Sequence, residues 1–406
     1  MSQTQDRRYL NRNTPPHLST LILLSGVGAM TMNVFLPSLP KIAEHFTVDY
    51  KLVQLSVAGY LAASGFLQLF IGPLADRYGR RPVLLWGLAL FILATIGCLM
   101  APTFGTFMVF RILQASVAGA MTLSRAVVRD INTPDRAAAM MGYVTMGMSM
   151  VPMFAPVLGG VLDEFFGWQA SFWLLFLCGL GIFWLTWADL GETAKPSDLS
   201  VLRQFAEYPE LLKSLRFWGY SLAAATSSGA FFAYVGGSPF VATAVYGLSP
   251  AQFGMFNAAA GVGYFIGNWF TGLNAARIGM NRMILVGGCF VTFGMALSLL
   301  FALAEIGGAY AFFGTMVFVG FGNGMTIPSA NAGMLSVRPH LAGTASGLGG
   351  AMMIGGGAAL SAAAGSMLST ETGAFPLIWL MLACGVASVL CISGVMRRER
   401  RMGLAA

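Results

Sequence analysis

Residues 72–81 read GPLADRYGRR and lie between two long apolar runs. Asp76, Arg77, Arg80 and Arg81 fall in one tight turn, punctuated by Gly72 and Gly79. A chain that only buries helices has little use for such a turn between apolar segments. A membrane protein that rocks one group of helices against another has a use for it, because the turn can latch the groups together on one side. Asp76 would then accept hydrogen bonds from helix N-termini or pair with an arginine across the interface. The plainer reading is a basic loop that only fixes topology, but that role needs no Asp76.

The rest of the chain has the composition that this reading requires. Its 406 residues are 56% hydrophobic and only 10% charged, with a mean hydropathy of +0.72. A soluble domain carries about 25% charged residues, so the expected class is an integral membrane protein. The formal charge of +7 does not indicate nucleic acid, because the basic residues sit in short loops between apolar runs. Cys98, Cys178, Cys289, Cys384 and Cys391 lie in apolar segments without C-x-x-C spacing, and read as small buried hydrophobes rather than a metal or disulfide framework. The polar, basic start (Arg7, Arg8, Arg12) and a first apolar run long enough to span leave no cleavable signal peptide in view. No phosphate-binding loop, H-E-x-x-H motif or nucleophile beside a histidine is present, so no enzyme, cofactor or direct use of ATP is expected.

Apolar stretches of roughly 20 residues occur at 18–39, 51–72, 83–101, 106–128, 137–162, 168–188, 217–240, 251–273, 283–303, 308–332, 343–365 and 375–395. With the N-terminus in the cytoplasm, that side holds Arg7, Arg8, Arg12, Arg77, Arg80, Arg81, Arg129, Arg136, Lys195, Arg203, Lys213, Arg216, Arg277, Arg282, Arg338, Arg397, Arg398, Arg400 and Arg401. The other side holds Lys41 and Lys51. Loop basicity therefore predicts a multi-pass protein of the bacterial inner membrane with both termini cytoplasmic.

The longest polar connection, 189–216, runs through Lys195-Pro196-Ser197-Asp198 and separates residues 1–188 from 217–406. The two parts echo each other. Shifted by 200 residues, GPLADRYGRR meets GLNAARIGMN at 272–281: Gly72 falls on Gly272, Ala75 on Ala275, Arg77 on Arg277, Gly79 on Gly279, and Asp76 on Ala276. Parallel repeats of this kind place a substrate site between them near the bilayer midplane.

GPLADRYGRR closely resembles the loop signature G-x-L-x-D-R-x-G-R-R of the major facilitator superfamily, matching it at Gly72, Leu74, Asp76, Arg77, Gly79, Arg80 and Arg81. The resemblance implies an all-α membrane fold of twelve transmembrane helices in two pseudo-symmetric six-helix bundles, with this turn gating the cytoplasmic side. VPMFAPVLGG at 151–160 resembles the G-P-x-x-G-G motif of the superfamily's antiporters, with Ala155 where the first glycine stands. Pro152, Pro156, Gly159 and Gly160 would make it a bending element, against a plainer reading of close helix packing. The eleventh apolar run, with Gly343, Gly347, Gly349, Gly350, Gly355, Gly356 and Gly357, is its counterpart. MNVFLPSLP at 32–40, YLAASGFLQLFIGPLADRYGRRP at 60–82, SRAVVRD at 124–130 and AYVGGSPFVATAVYGLSPAQFG at 233–254 together resemble the bicyclomycin-resistance (Bcr/CflA) branch of drug:proton antiporters.

Arg111 lies inside the fourth apolar run, where a charged side chain is costly and points to function. Gln114 sits on the same helical face, and the pair resembles the superfamily's R-x-x-Q motif for proton transfer or substrate contact. The alternative is an arginine snorkelling to the headgroups. The branch commonly carries an Asp in its first helix, in D-x-x-L-P-x-L-P; here that position is Asn33, which can hydrogen-bond Arg111 but cannot exchange a proton. All carboxylates fall at span ends, in loops or in tails, so coupling would use a peripheral one, with Asp130 the candidate ahead of Asp76, or be carried by the substrate's own charge. Tyr60, Tyr234, Asn257, Asn268 and Asn323 are polar or aromatic positions that suit a pocket for a mostly apolar ligand.

The expected protein is a monomeric secondary active transporter exporting small amphiphilic, neutral or anionic drug-like compounds, in exchange for protons. The alternative is a facilitator or importer of a specific neutral or anionic metabolite, because the proton-carrying Asp is absent. A third reading, a non-transporting ligand sensor, would call for a soluble signalling domain, and none stands in these 406 residues.

Overall fold

The computed structural model describes residues 9–131, 140, 143–144, 147–148, 150–193, 208–338 and 342–403. Among these the chain is helical, with no strand. Lys195-Pro196-Ser197-Asp198, Arg203, most of 132–149, His340 and Arg7–Arg8 lie outside the described residues. Ten helical runs are long and apolar enough to cross a membrane. The other two expected spans are Val151–Phe166, whose described part is 16 residues, and Pro250–Ile278, which is 29 residues long but diluted by Gln252, Asn257, Asn268 and Asn274.

The helices are α1 Leu18–Asn33, α2 Leu39–Phe46, α3 Tyr50–Tyr78, α4 Arg80–Leu99, α5 Phe104–Leu113, α6 Ala118–Asp130, α7 Val151–Phe166 and α8 Gln169–Asp189 in the first half. In the second half they are α9 Tyr208–Leu212, α10 Leu215–Phe240, α11 Pro250–Ile278, α12 Met280–Leu303, α13 Gly308–Val337, α14 Ala342–Met367 and α15 Phe375–Arg401.

Two expected spans are interrupted. The run expected at 18–39 stops as an α-helix at Asn33, passes through a 3-10 turn at Leu36–Ser38 and resumes as α2. Pro37 and Pro40 stand in the first turns of the two later pieces, where a missing N–H is harmless but a continuous helix is broken. The fourth expected span divides at Gln114–Val117, a 3-10 segment joining α5 to α6. Local chemistry sets other helix starts: Asp49 accepts from Lys51 N, and capping boxes form at Thr103/Thr106 and Ser249/Gln252.

The apolar cores show how the halves meet. At the end away from GPLADRYGRR, one core runs through both halves, joining Phe35, Leu39, Phe107 and Phe172 to Tyr234, Phe253, Phe312 and Phe313. At the GPLADRYGRR end there are two cores. One belongs to the first half, around Leu24, Ile71, Leu84 and Val127; the other to the second, around Phe217, Ile284, Met334 and Ile392. The halves are thus fused at one end and separate at the other.

Small residues make the fusion possible. A Cβ on Gly160 would run into Pro250 O, one on Gly254 into Pro156 O, and one on Gly65 would stand 3.2 Å from Gly355 N. These contacts press α7 onto α11 and α3 onto α14. Gln54 Nε2 on α3 donates to Gly236 O on α10, a bond between the halves. Glu164 on α7 accepts from Ser249 Oγ at 3.1 Å and Ala251 N at 3.3 Å, at the start of α11. At the GPLADRYGRR end, the Arg80–Asp130 pair stays within the first half, and the Arg216–Glu399 and Arg338–Glu210 pairs within the second.

Candidate functional site

Arg111 is fully buried in the last turn of α5. Its Nη1 donates to Gln114 Oε1 at 2.7 Å and its Nη2 to Thr31 O of α1 at 2.9 Å. Gln114 Nε2 in turn donates to Thr95 Oγ1 of α4 at 2.7 Å, and Thr95 donates to Phe91 O. The guanidinium carbon lies 3.9 Å from the Phe35 ring centroid and 4.5 Å from that of Tyr60. Arg111 is therefore tied to α1, α3 and α4 by hydrogen bonds and aromatic faces, with no carboxylate in its surroundings. Its Nε, buried, has no hydrogen-bond partner. This geometry departs from snorkelling: the side chain is enclosed by protein and not aimed at headgroups.

The 3-10 turn begins at Gln114, the C-cap of α5. The residue that ends α5 also carries the amide that bridges Arg111 to Thr95. Thr31, Phe35 and Thr95 complete the cluster, and sequence reasoning missed all three. Phe35 had a signal in its position two residues after Asn33. Thr31 contributes a main-chain carbonyl, which no side-chain motif reveals.

Asn33 is buried near this cluster in chain position but does not bond to Arg111. Its Nδ2 donates to Ala29 O at 2.7 Å within its own helix, and its Oδ1 has no partner. Tyr60 is buried against Arg111, and its hydroxyl makes a long 3.5 Å contact to Gly28 O. The second-half residues stand apart from this cluster. Tyr234 packs among Phe312 and Phe313, with centroids at 6.3 Å. Asn323 Oδ1 accepts from Ser227 Oγ at 2.6 Å, bridging α13 to α10, and Asn257 is buried with an unpartnered Oδ1. Asn268 Nδ2 donates back to Tyr264 O. Among the described residues no hydrogen bond or ring contact joins any of these to Arg111.

The GPLADRYGRR turn is wired inside the first half. Asp76 Oδ1 pairs with Arg80 Nη1 at 2.8 Å, and Arg80 Nε bonds Asp130 Oδ2 at 3.0 Å. The main-chain N–H groups of Arg80 and Arg81, at the start of α4, donate to Glu192 Oε1 and Oε2 at 2.9 and 3.3 Å. A carboxylate at a helix N-terminus is favourable on dipole grounds as well. Arg81 bonds Leu190 O and Trp187 O, and the Arg77 guanidinium lies 5.4 Å from the Tyr78 ring. Gly79 has φ +97°, and a Cβ there would strike the Glu192 carboxylate. In this conformation Asp76 pairs within the turn rather than across the interface. Asp130 sits between Arg80 and, at 3.8 Å, Arg129. Pro156 lies inside α7, and Gly159 meets Val34 O where α1 ends.

Residues 21–362 match the Major Facilitator Superfamily model. A bicyclomycin resistance protein homolog of Haemophilus influenzae is 29% identical over 91% of this chain and 94% of its own length. A chloramphenicol resistance protein of Pseudomonas aeruginosa is 30% identical over 96% of this chain and 92% of its own. The crystal structure of a mutant peptide transporter POT in complex with alafosfalin superposes with a TM-score of 0.78 at 14% identity, covering 96% of this chain and 95% of that one; it is similar in fold. A charged glycine turn between spans, a pseudo-repeat with halves fused at one end, and a family match over most of the length agree: this multi-pass membrane transporter belongs to the major facilitator superfamily.

Proposed function

We propose that this transporter exports small amphiphilic, neutral or anionic drug-like compounds across the bacterial inner membrane in exchange for protons. The observation that carries the substrate class is Arg111: a buried guanidinium with two bonded Nη groups, two aromatic faces and no carboxylate. A fixed positive charge favours polar oxygens and anions over cations, and aromatic walls suit the apolar body of a ligand. The names of the bicyclomycin and chloramphenicol resistance relatives support a drug-like substrate. Both termini are assigned to the cytoplasm on loop basicity. The separated GPLADRYGRR end is then the cytoplasmic one, and the conformation is open to the inside. Residues 1–188 and 217–406 would rock as two bodies joined by 189–216, with Asp76, Arg77, Gly79, Arg80 and Arg81 closing the inner side in the other state.

Asn33 supports a second reading, a facilitator of a neutral or anionic metabolite. It occupies the place of the branch's Asp and makes no bond to Arg111. One experiment separates the two. Purified protein in liposomes is given a phenicol-type antibiotic, with and without an imposed pH gradient. Accumulation driven by the gradient is the expected result, and equalisation alone would establish the facilitator. Arg111→Ala, still inserted and folded, should lose at least tenfold in rate; normal turnover would remove Arg111 from the substrate path.

A further inference from the structure

Two neighbouring carboxylates stand near the end of α7, and they face different halves. Gly159 abuts Val34 O at the end of α1, in the first half; Gly160 abuts Pro250 O at the start of α11, in the second. Residues four apart stack on one helical face. Asp163 therefore continues the face of Gly159, and Glu164 that of Gly160. The contacts agree. Asp163 is buried, with Lys41 Nζ of α2 3.0 Å from its Oδ2 and donating to its main-chain oxygen at 2.6 Å. That contact braces α7 against its own half. Glu164 Oε2 accepts from Ser249 Oγ at 3.1 Å and from Ala251 N at 3.3 Å, both in the second half.

The start of α11 explains what the second carboxylate meets. A helix begins with N–H groups that have no partner inside it. Ser249 is the N-cap: its Oγ accepts from Gln252 N at 3.3 Å, its N–H donates to Gln252 Oε1 at 2.9 Å, and its carbonyl accepts from Phe253 N at 2.8 Å. Pro250 has no N–H to satisfy. Ala251 N is the first-turn donor that the capping box leaves over, and Glu164 takes it from the other half. A carboxylate there also meets the positive end of the helix dipole. Glu192 serves the start of α4 in the same way at the GPLADRYGRR end, but without crossing between halves.

We propose that Glu164 is a gating residue of the transport cycle: bonded across the halves to the start of α11, it latches the end away from GPLADRYGRR in the shut form and returns to water when that end opens. The Lys41–Asp163 contact stays made, so α7 moves with the first half. The latch rests on the sidedness proposed above only for the name of this end as the outer one. It does not hold the end shut alone, because the shared apolar core and the glycine contacts lie behind it. A contact present in one of two forms shifts their ratio by its differential strength. Two partly exposed bonds to a carboxylate amount to a few-fold.

The test uses the full chain in nanodiscs, with its native cysteines replaced and spin labels at Met100→Cys and Ile306→Cys. Both positions are exposed at this end, on opposite halves, and outside α7 and α11. Glu164→Ala should raise the fraction with the long, open distance by about three- to tenfold. Ser249→Ala removes one of the two donors and should raise it less. The double variant should match Glu164→Ala, because both bonds end on that one carboxylate. Gln252→Ala loses a cap contact internal to α11 and should leave the fraction in place. An unchanged fraction in Glu164→Ala, a double variant equal to the product of the single shifts, or the same shift in Gln252→Ala would overturn the latch. The distances need neither substrate nor proton gradient. Failed phenicol transport beside the expected shifts would therefore refute the export reading and leave the latch standing.

Discussion

The two glycine turns, 200 residues apart, share a backbone and differ in chemistry. Gly79 and Gly279 have φ of +97° and +84°, each directly follows one helix and precedes the next, and each donates its N–H to the carbonyl four residues back. In the first turn the cations belong to the turn; Asp130 pairs with the Arg80 guanidinium, and Glu192 accepts from the main-chain N–H groups of Arg80 and Arg81. In the second, Asn281 stands where Arg81 stood, and its Nδ2 donates to Glu399 at 2.5 Å. The cation there is Arg216 at the start of α10, bonded to the same carboxylate at 2.9 and 2.6 Å, with Tyr220 adding a third donor at 3.1 Å. The repeat has preserved a backbone shape while the charge moved to other helices. A buried, multiply bonded carboxylate makes the second turn a structural joint. In the first, the partly exposed Asp76 holds a single pairing, to the buried Arg80, and can change partner.

The largest effect should come from breaking the second joint. Glu399→Ala strips Arg216, Tyr220 and Asn281 of their shared acceptor and leaves a partly buried guanidinium unpaired. Removing one partner of a buried pair costs about 3 kcal/mol, read as a lower apparent melting temperature in detergent. A loss no larger than that of an exposed carboxylate substitution would show that the joint does not differ in kind from the first turn.

The paired glycines sharpen the comparison at the backbone level. Both occupy a region of φ and ψ that only glycine adopts without strain, costing about 1–3 kcal/mol for another residue. At Gly279 nothing lies within 4 Å of an added Cβ, whereas at Gly79 it would strike the Glu192 carboxylate. Gly79→Ala should therefore destabilise more than Gly279→Ala, by roughly a further 1 kcal/mol for displacing Glu192 from the start of α4. Equal costs would mean that Glu192 rearranges freely and does not hold the turn.

Much of this was legible from sequence, because hydropathy and loop charge report long-range organisation directly. The spans, the repeat and the pairing of Arg111 with Gln114 came from local pattern, whereas the contact of Tyr60 with Arg111 did not. What was missed depended on where helices stop. Glu399 read as part of a basic tail, since RRERR is polar by any scale. α15 runs on to Arg401, and Ile392, Val395 and Glu399 then share one buried stripe at i, i+3 and i+7. Asp163 read as a span-end acid for the same reason: α7 continues to Phe166 and carries it along the Gly159–Gly160 face. Lys41 was hidden by a different break. Pro37 and Pro40 split the first apolar run, and the short α2 presents the lysine to α7. Asn33 was expected to meet Arg111, but its amide found a carbonyl one turn back in its own helix, an option open to any helical Asn.

The smallest stability effect should come from Asp76, and it is the most informative about motion. Its side chain is 36% exposed and its partner Arg80 keeps Asp130 and Glu192. A pair of this exposure contributes about 0.5 kcal/mol, so Asp76→Asn should barely move the melting temperature. Its effect on transport should be much larger, a drop of at least tenfold in rate, if the carboxylate finds a second partner when the halves close at this end. The contacts of the open-ended conformation cannot account for such a split between stability and rate. A conformation that binds Asp76 more tightly than this one can, since a group shifts an equilibrium only by its differential interaction with the two states. The second turn supplies the control: Ala276→Asp, with Met280 rather than an arginine four residues on in the sequence, should not restore rate to the Asp76→Asn protein. Restoration would show that the two turns are interchangeable latches after all.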